Sequence, residues 1–307
     1  MRDWKNSARG VLAGGITGIA LGLGGFWLAE IPATHAMGPV MFFLVPLGAG
    51  FAIAMVTRES NTATAAALLA TIASLAILVA GGMETFLCVL LAFPTLFVAL
   101  GCGVGLGILA RRLSEKFASK NATFTSFFLL SVPLMILAGH RIEVSTLRHP
   151  RQEIVTSTIR LPADPSEVWT DLRAFDSVTA EKPFLMYVGL PIPVRCEIRG
   201  NGVGGKRTCY FDKGYIEETV TEWQPPNVMG LSIDRTNMPG RLWLNFEGAK
   251  YELHRENDKT VLTRTTIATS NLYPAWYWRP FERWGIVSEH EYIFGDLARR
   301  LHKAEPQ

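Results

Sequence analysis

The first third of the chain contains very few charged side chains. Soluble domains average about a quarter charged residues, but positions 10–110 carry only four: Glu30, Arg58, Glu59 and Glu84. This scarcity excludes a solvated surface for most of that segment. Beyond His140 charges recur every few positions and the long apolar runs stop. We therefore predict three regions: a membrane region at residues 1–140, a linker at residues 141–152 and a soluble domain at residues 153–307.

Familiar catalytic patterns are missing as well. The chain has no G-x-S-x-G, H-E-x-x-H or C-x-x-C motif, which excludes the usual sequence marks of a serine hydrolase, a zincin or a dithiol oxidoreductase. No histidines and cysteines have the spacing of metal ligands, and we expect neither a metal nor another cofactor. The net charge of +3 is small, which argues against nucleic acid as a partner.

Five apolar stretches dominate the membrane region. A bilayer core about 30 Å thick needs roughly 20 apolar residues in a helix, and most of the stretches approach or reach that length. They are residues 11–28, 39–56, 63–82, 86–110 and 124–139, of which the last is the shortest. We therefore predict an all-α, multi-pass transmembrane bundle of about five helices.

Positive charge predicts the orientation of this bundle, because Lys and Arg concentrate in cytoplasmic loops. The N-terminus and the loops after the second and fourth stretches carry the basic residues: Arg2, Lys5, Arg9, Arg58, Arg111, Arg112, Lys116 and Lys120. Five spans with a cytoplasmic N-terminus put the soluble domain in the periplasm or outside the cell, attached to a bacterial inner membrane or a plasma membrane. With four spans the soluble domain would lie in the cytoplasm.

Glycines four residues apart occur at the first stretch and in the fourth. Gly10, Gly14, Gly18 and Gly22 have this spacing throughout, and Gly101, Gly103, Gly105 and Gly107 contain two such pairs. Small residues at this spacing let another helix approach closely. Their partner is either a helix of the same bundle or a second copy of the chain in a homo-oligomer.

The soluble half predicts an α+β fold. A β-branched stretch, residues 153–161, leads to Asp164-Pro165-Ser166-Glu167, which has the residue types of a helix start. A meander of strands follows at residues 194–199, 206–212, 215–223, 228–234, 242–254 and 260–269, and an amphipathic helix at 280–303. We predict a curved antiparallel sheet gripping one long helix, with room for an apolar pocket between them.

Two of the four cysteines face each other in this arrangement. A hairpin that turns symmetrically about Gly202-Val203 pairs Cys196 with Cys209. Opposite Cβ atoms lie about 4.5–5.5 Å apart, close to the distance in a disulfide. We therefore predict a cross-strand disulfide, which requires an oxidising compartment. The alternative is a pair of reduced thiols.

Four segments of this half carry a resemblance to a known family. They are LPADPSEVW at residues 161–169, GKRTCYF at 205–211, ETVTEWQPP at 218–226 and YPAWYW at 273–278. They resemble the SRPBCC superfamily of START and Bet v1-like helix-grip proteins, and more narrowly its polyketide cyclase/dehydrase-like and ligand-binding members. The resemblance covers roughly residues 153–304 and implies a helix-grip fold. It leaves the function open, because the superfamily includes lipid carriers, receptors and cyclases.

Six residues are candidates to contact a ligand: Arg207, Tyr210, His254, Arg264, Trp276 and Trp278. Arg207 shares an apolar strand face with Cys209, so its charge needs a partner, for which Glu218, Glu252 or a ligand carboxylate are candidates. Arg264 has the same need. The aromatic residues of segment 273–284 form the core, the mouth of the pocket or an interfacial belt at the lipid headgroups.

We therefore expect a membrane-anchored domain that binds a hydrophobic small molecule or a lipid. The charged residues of the membrane region fall at predicted helix ends, which favours an anchor over a channel or pump. Two other functions stay open. One is a cyclase-like or hydrolase-like enzyme that uses the same pocket, and the other is a structural or signalling module.

Overall fold

The computed structural model describes residues 2–30, 38–57, 59–117, 122–147, 150–238 and 243–303. Arg58 and Lys120, which contribute to the predicted orientation, lie outside them. The chain divides into two units. The first contains Met1–Glu84, Cys88–His149 and Asn271–Pro274, and the second contains Thr85–Leu87, Pro150–Ser270 and Ala275–Gln307.

Helices at all five predicted positions build the first unit. They are α1 Arg2–Glu30, α2 Val45–Val56, α3 Ser60–Ala80, α4 Phe86–Phe117 and α5 Ala122–Thr146, and a π-helical turn, Val40–Leu44, leads into α2. Among the described residues, three helices are long and apolar enough to cross a membrane: Ser7–Leu28, Ser60–Ala80 and Phe86–Ser114. The number of spans and their orientation stay predictions.

Small residues on both partners hold α1 against α3. A Cβ atom placed on Gly14 or Gly18 would lie 3.0 or 2.7 Å from the Cβ atom of Ala66 or Ala70. Gly10 and Gly22 meet Thr62 and Ser74 in the same way, at 3.0 and 3.3 Å. The glycine stripe of α1 therefore packs inside the bundle, which is the first of the two alternatives drawn from its spacing.

The glycines of α4 divide between two faces. A Cβ atom on Gly103 would overlap the carbonyl oxygen of Leu47, and one on Gly107 would lie 2.7 Å from that of Phe51, so this pair packs on α2. Gly101 and Gly105 have no described atom within 4 Å of such a Cβ. This second pair leaves room for an additional helix.

Polar side chains satisfy backbone groups at the helix ends of this unit. Arg111 donates from Nη1 to the carbonyl oxygens of Ala54, at 3.1 Å, and Thr57 at the end of α2. The Glu143 carboxylate accepts from the backbone N–H groups of Gly38 and Val40, at 3.0 and 2.7 Å. The backbone groups at helix ends lack intrahelical partners, so these contacts stabilise the ends of the described helices.

The second unit contains one antiparallel sheet and three helices within the described residues. Its elements are β1 Arg151–Leu161, α6 Pro165–Arg173, α7 Phe184–Tyr187, β2 Pro193–Arg199, β3 Lys206–Phe211, β4 Gly214–Gln224, β5 Val228–Thr236, β6 Leu244–Glu256, β7 Lys259–Ser270 and α8 Ala275–Lys303. The seven strands lie in the order β1-β7-β6-β5-β4-β3-β2. A long helix on such a sheet is the predicted helix-grip architecture.

Local sequence explains the start of α6 and the packing of α8. Asp164 and Glu167 form the predicted capping box, in which each side chain accepts from the other's backbone N–H. On α8, Leu297 and Leu301 join Val168 of α6 and Leu262 of β7 in a buried core. Each Å² of apolar surface buried in this contact stabilises the fold by about 25 cal/mol.

Two element boundaries differ from the predicted positions. Helix α5 continues to Thr146 and β1 begins at Arg151, so regular structure occupies both ends of residues 141–152. Likewise α8 begins at Ala275, so Pro280 lies inside the helix in its second turn, where its ring removes one i→i−4 hydrogen bond. The domain assignments stay predictions.

The hairpin of β2 and β3 has the predicted register. Cys196 lies opposite Cys209, and their sulfur atoms form a disulfide. Both cysteines are buried against Phe175 and Ile293, so the bond ties the edge of the sheet to the core beneath α8. The predicted disulfide is confirmed.

Replacing Gly103 by Ala should destabilise the helical unit. The added methyl group overlaps the Leu47 carbonyl oxygen and must separate α2 from α4, an overpacking cost of about 2 kcal/mol. Gly15→Ala, at a position of α1 where the added methyl group meets no described atom within 4 Å, is the matched control and should leave stability unchanged or slightly raised. Thermal unfolding of the full chain in detergent measures both. Equal melting temperatures for the two variants would contradict the α2–α4 packing.

Replacing Cys196 and Cys209 by Ser should destabilise the second unit by about 3 kcal/mol, because the bond closes a loop with a sequence separation of 13 residues. The measurement is thermal unfolding of the full chain without reductant. Replacing Cys88 and Cys102, which are free, is the control and should not reproduce the loss. If reductant failed to lower the melting temperature of the wild type, the disulfide would not be contributing stability.

Candidate functional site

The sheet face beneath α8 carries polar side chains in the middle of an apolar interior. Apolar clusters lie on either side of them, one containing Leu161 and Leu297 and one containing Val155 and Ile286. We call the polar residues between these clusters the buried polar row: Glu218 of β4, Arg207 of β3, Tyr251 of β6, Arg264 of β7 and Glu289 of α8. Buried charges are costly unless they are paired, so each charge in the row needs a partner in the protein or in a ligand.

Arg207 lies at the more buried end of the row. Its Nη1 lies 2.8 Å from Glu218 Oε2, and the exposed fractions of the two side chains are 4% and 8%. Its Nε donates to the Arg173 carbonyl oxygen at 3.2 Å. Burial lowers the pKa of Arg207, but the Glu218 carboxylate outweighs it and raises that pKa. Of the three partners considered for Arg207, the structure shows Glu218.

Arg264 forms the other end and is more open. Its Nη1 lies 2.8 Å from Glu289 Oε2, with 12% and 20% of the side chains exposed. Burial lowers the pKa of Arg264, but the Glu289 carboxylate raises it above the ordinary value. The Nε of Arg264 is buried and has no hydrogen-bond partner among the described residues. This end therefore holds a guanidinium donor that a ligand oxygen can accept from.

Tyr251 lies between the two arginines. Its ring centroid is 6.0 Å from the guanidinium carbon of Arg207 and 5.3 Å from that of Arg264. An aromatic face attracts cations at this distance. The tyrosine therefore separates two like charges and links the ends of the row.

His290 lies beside the open end of the row. Its Nδ1 is 2.9 Å from Ser157 Oγ and its Nε2 is 2.8 Å from Thr266 Oγ1. Burial and the positive charge of Arg264 lower the pKa of His290 to about 2. A neutral ring donates through one nitrogen and accepts at the other, which matches two hydroxyl partners.

A second group of charges lies near the start of α8. Glu153, which is fully buried, pairs with Arg151 and with Arg279, whose Nε is 3.0 Å away. Glu282 accepts from Arg151 at 2.8 Å and from Ser270 Oγ at 2.6 Å. These carboxylates are neutralised by side chains of the same group, so we assign the group a structural role that anchors α8 to β1 and β7.

The six predicted ligand residues do not lie together. Arg207 and Arg264 both belong to the buried polar row. Tyr210 lies on the other face of the sheet, where the guanidinium of Arg195 stacks 4.4 Å from its ring centroid. His254 is exposed, because β6 turns Tyr251 and Leu253 inward.

The two tryptophans also separate. Trp278 is buried, with 4% of its surface exposed, whereas 74% of Trp276 is exposed. Core, pocket mouth and interfacial belt were the three roles open to the aromatic segment. Trp278 is a core residue, and Trp276 is not. Ligand contact by any of the six residues stays a prediction.

Glu289, Tyr251, Ser157 and Thr266 were not among the predicted site residues. Two signals in the sequence point to part of this set. Ser157 and Thr266 lie two residues from inward apolar residues of β1 and β7, so they share the inward face of their strands. Tyr251 lies two residues from the inward Leu253 in the same way. Among the described residues, no three His, Cys, Asp or Glu side chains are arranged to hold a metal ion.

Comparison with known proteins finds similarity at the level of structure. No family model matches the sequence, and no curated protein matches it. A START superfamily protein from Mycobacterium smegmatis is 12% identical over 49% of this chain and 97% of its own, with a TM-score of 0.36. The Aha1 dimer from Colwellia psychrerythraea is 16% identical over 48% and 98%, with a TM-score of 0.30.

A norcoclaurine synthase point mutant from Thalictrum flavum, in complex with a transition-state analogue, is 14% identical. It covers 51% of this chain and 99% of its own, with a TM-score of 0.32. The strand order and the long helix α8 packed on the sheet show the helix-grip fold.

The neutral His290 predicts a loss of stability in acid. Unfolding restores its ordinary pKa of 6.5, so the unfolded chain takes up a proton below that pH and the folded chain does not. Stability is therefore full above pH 6.5 and falls below it, by about 2 kcal/mol at pH 5.

Thermal unfolding of the full chain at pH 7 and pH 5 measures this effect. His290→Gln should reduce the difference between the two melting temperatures. His254→Gln, at an exposed position, controls for the loss of a histidine as such. An unchanged difference in His290→Gln would show that this ring does not contribute.

Proposed function

We propose that the chain is a membrane-anchored helix-grip protein that binds an amphipathic ligand, a lipid or hydrophobic small molecule with an acidic head. The observation that carries the proposal is the unsatisfied Nε of Arg264 in the interior between the sheet and α8. A buried donor without a partner costs about 1–3 kcal/mol. An acidic oxygen placed there would recover that free energy.

The surroundings of Arg264 support this choice of ligand. Glu289 and Ser157 remain partly exposed beside it, so the open end of the row is within reach of a ligand head. Partly buried apolar side chains packed against the neighbouring clusters, such as Ile159 and Phe246, would contact an apolar body. A guanidinium binds a carboxylate or phosphate in a planar, two-bond geometry, which suits an acidic head.

The first unit supports the membrane anchor. Three long apolar helices expose large hydrophobic side chains, among them Leu12, Ile16 and Trp27 at 65%, 68% and 68%. The disulfide of the second unit supports an oxidising compartment, hence a periplasmic or extracellular position. The open glycine pair of α4, Gly101 and Gly105, is where we propose that a second copy would pack in a homo-oligomer.

Native mass spectrometry of the full chain, extracted into polymer nanodiscs, tests ligand binding. We expect an acidic amphiphile to co-purify with the wild type. The double variant Arg264→Met, Glu289→Gln removes the head-binding donor without leaving an unpaired buried charge, and should retain at least about ten-fold less ligand.

A matched control is the pair Arg160 and Glu256, whose side chains are 63% and 48% exposed. Arg160→Met, Glu256→Gln should retain the ligand. Equal retention by both double variants would contradict the assignment of the acidic head to Arg264.

A second candidate function is a hydrolase-like reaction, and the Ser157–His290 hydrogen bond favours it. In that reaction Ser157 Oγ would attack an ester carbonyl and pass its proton through His290 to the departing alcohol, and water would then release the acid from Ser157. The low pKa of His290 makes it a weak base, which places this reaction second. A para-nitrophenyl ester of a medium-chain acid is a suitable probe. Hydrolysis that Ser157→Ala abolishes would support the enzyme, and ligand binding without hydrolysis would support the carrier.

A further inference from the structure

The outward side of α8 carries tryptophans and arginines at helical spacing. Trp276, Arg279, Arg283 and Trp284 occupy positions i, i+3, i+7 and i+8, which lie on one side of an α-helix. All four are exposed, with 74% of Trp276 and 44% of Trp284 accessible. A helix packed on a sheet normally turns charged and small polar residues outward, so two exposed indoles on this side need an explanation.

Helix α7 extends this surface. The Phe184 ring stacks on Trp284 with centroids 6.4 Å apart and an angle of 12° between the planes. Phe184 and Tyr187 are 64% and 72% exposed. We call these six residues of α7 and α8 the aromatic–arginine face.

The charges of this face have one sign. Arg279 pairs with the buried Glu153, which Arg151 also neutralises. Arg283 donates to the Ile154 carbonyl oxygen at 3.3 Å and forms no ion pair with a described residue. Among the described residues, Arg283 therefore presents a positive charge that no carboxylate compensates.

This combination matches the interface of a bilayer. Indole and phenol rings favour the headgroup level, where one end of the ring is apolar and the other is wet. Arginines beside them bury their aliphatic stems and hold the guanidinium among anionic phosphates. A water-exposed surface would gain nothing from four large aromatic side chains.

We propose that the aromatic–arginine face of the second unit docks on the headgroup layer of a bilayer that contains anionic lipid. The apolar helices of the same chain provide the membrane. This surface lies outside the buried polar row, so its lipid contact is independent of whether the row binds a ligand. Docking would hold the open end of that row close to a source of amphiphiles.

Fluorescent labels on the full chain test the proposal. Cys88 and Cys102 are first replaced by Ala, and a single cysteine is introduced as Trp276→Cys or as Tyr187→Cys and labelled with an environment-sensitive dye. The protein is reconstituted in nanodiscs of phosphatidylcholine with or without phosphatidylglycerol and with doxyl-labelled lipid as quencher. Near-ultraviolet circular dichroism and the melting temperature confirm that each labelled protein is folded.

The matched control is Val203→Cys, also 70% exposed, in the turn between β2 and β3. This turn lies at the far end of β2 from α7, a separation of about 23 Å for seven residues. We expect doxyl lipid to quench the labels at positions 276 and 187 but not the label at 203. Arg283→Gln should reduce the docked population in phosphatidylglycerol about five-fold, because each cation near the surface contributes to anionic-lipid binding.

Two outcomes would overturn the proposal. One is equal quenching by doxyl lipid at positions 276, 187 and 203. The other is protection of positions 276 and 187 from aqueous iodide without quenching by doxyl lipid, since that pattern indicates a protein partner or a second copy. If quenching does not depend on phosphatidylglycerol, the role of the arginines is refuted.

Discussion

The second unit depends on the neutralisation of two arginines that lie beneath its long helix. Arg207 and Arg264 sit in an apolar interior where an unpaired charge would cost several kcal/mol. Their partners come from different elements: Glu218 from the neighbouring strand and Glu289 from α8. The ion pair with Glu289 therefore fixes the position of the helix on the sheet, in addition to the apolar contacts between them.

This constraint fixes the rotation of α8 about its own axis. Successive residues of a helix point about 100° apart, so a helix that places Glu289 at Arg264 also places His290 between Ser157 and Thr266. The same rotation directs Trp284 outward. The interior site and the outer aromatic surface are therefore two consequences of one packing arrangement.

Different physics holds the helical unit together. In the proposed membrane setting, lipid provides no hydrophobic driving force for helix association, and close approach through small residues takes its place. Gly18 against Ala70 and Gly103 against the Leu47 carbonyl show this directly. Arg111 and Glu143 hydrogen-bond backbone groups at helix ends, which would otherwise lack an intrahelical partner.

Local patterns in the sequence predict the strands, the start of α6, the positions of the five apolar helices and of α8, and the Cys196–Cys209 register. Each of these depends on a short-range period or on the symmetry of one turn. Strand alternation also showed that Arg207 needs a partner. Only the tertiary structure placed Glu289 at Arg264 and separated Trp276 from Trp278. Those outcomes depend on how α8 rotates against strands distant in sequence, and packing across the whole sheet decides that rotation.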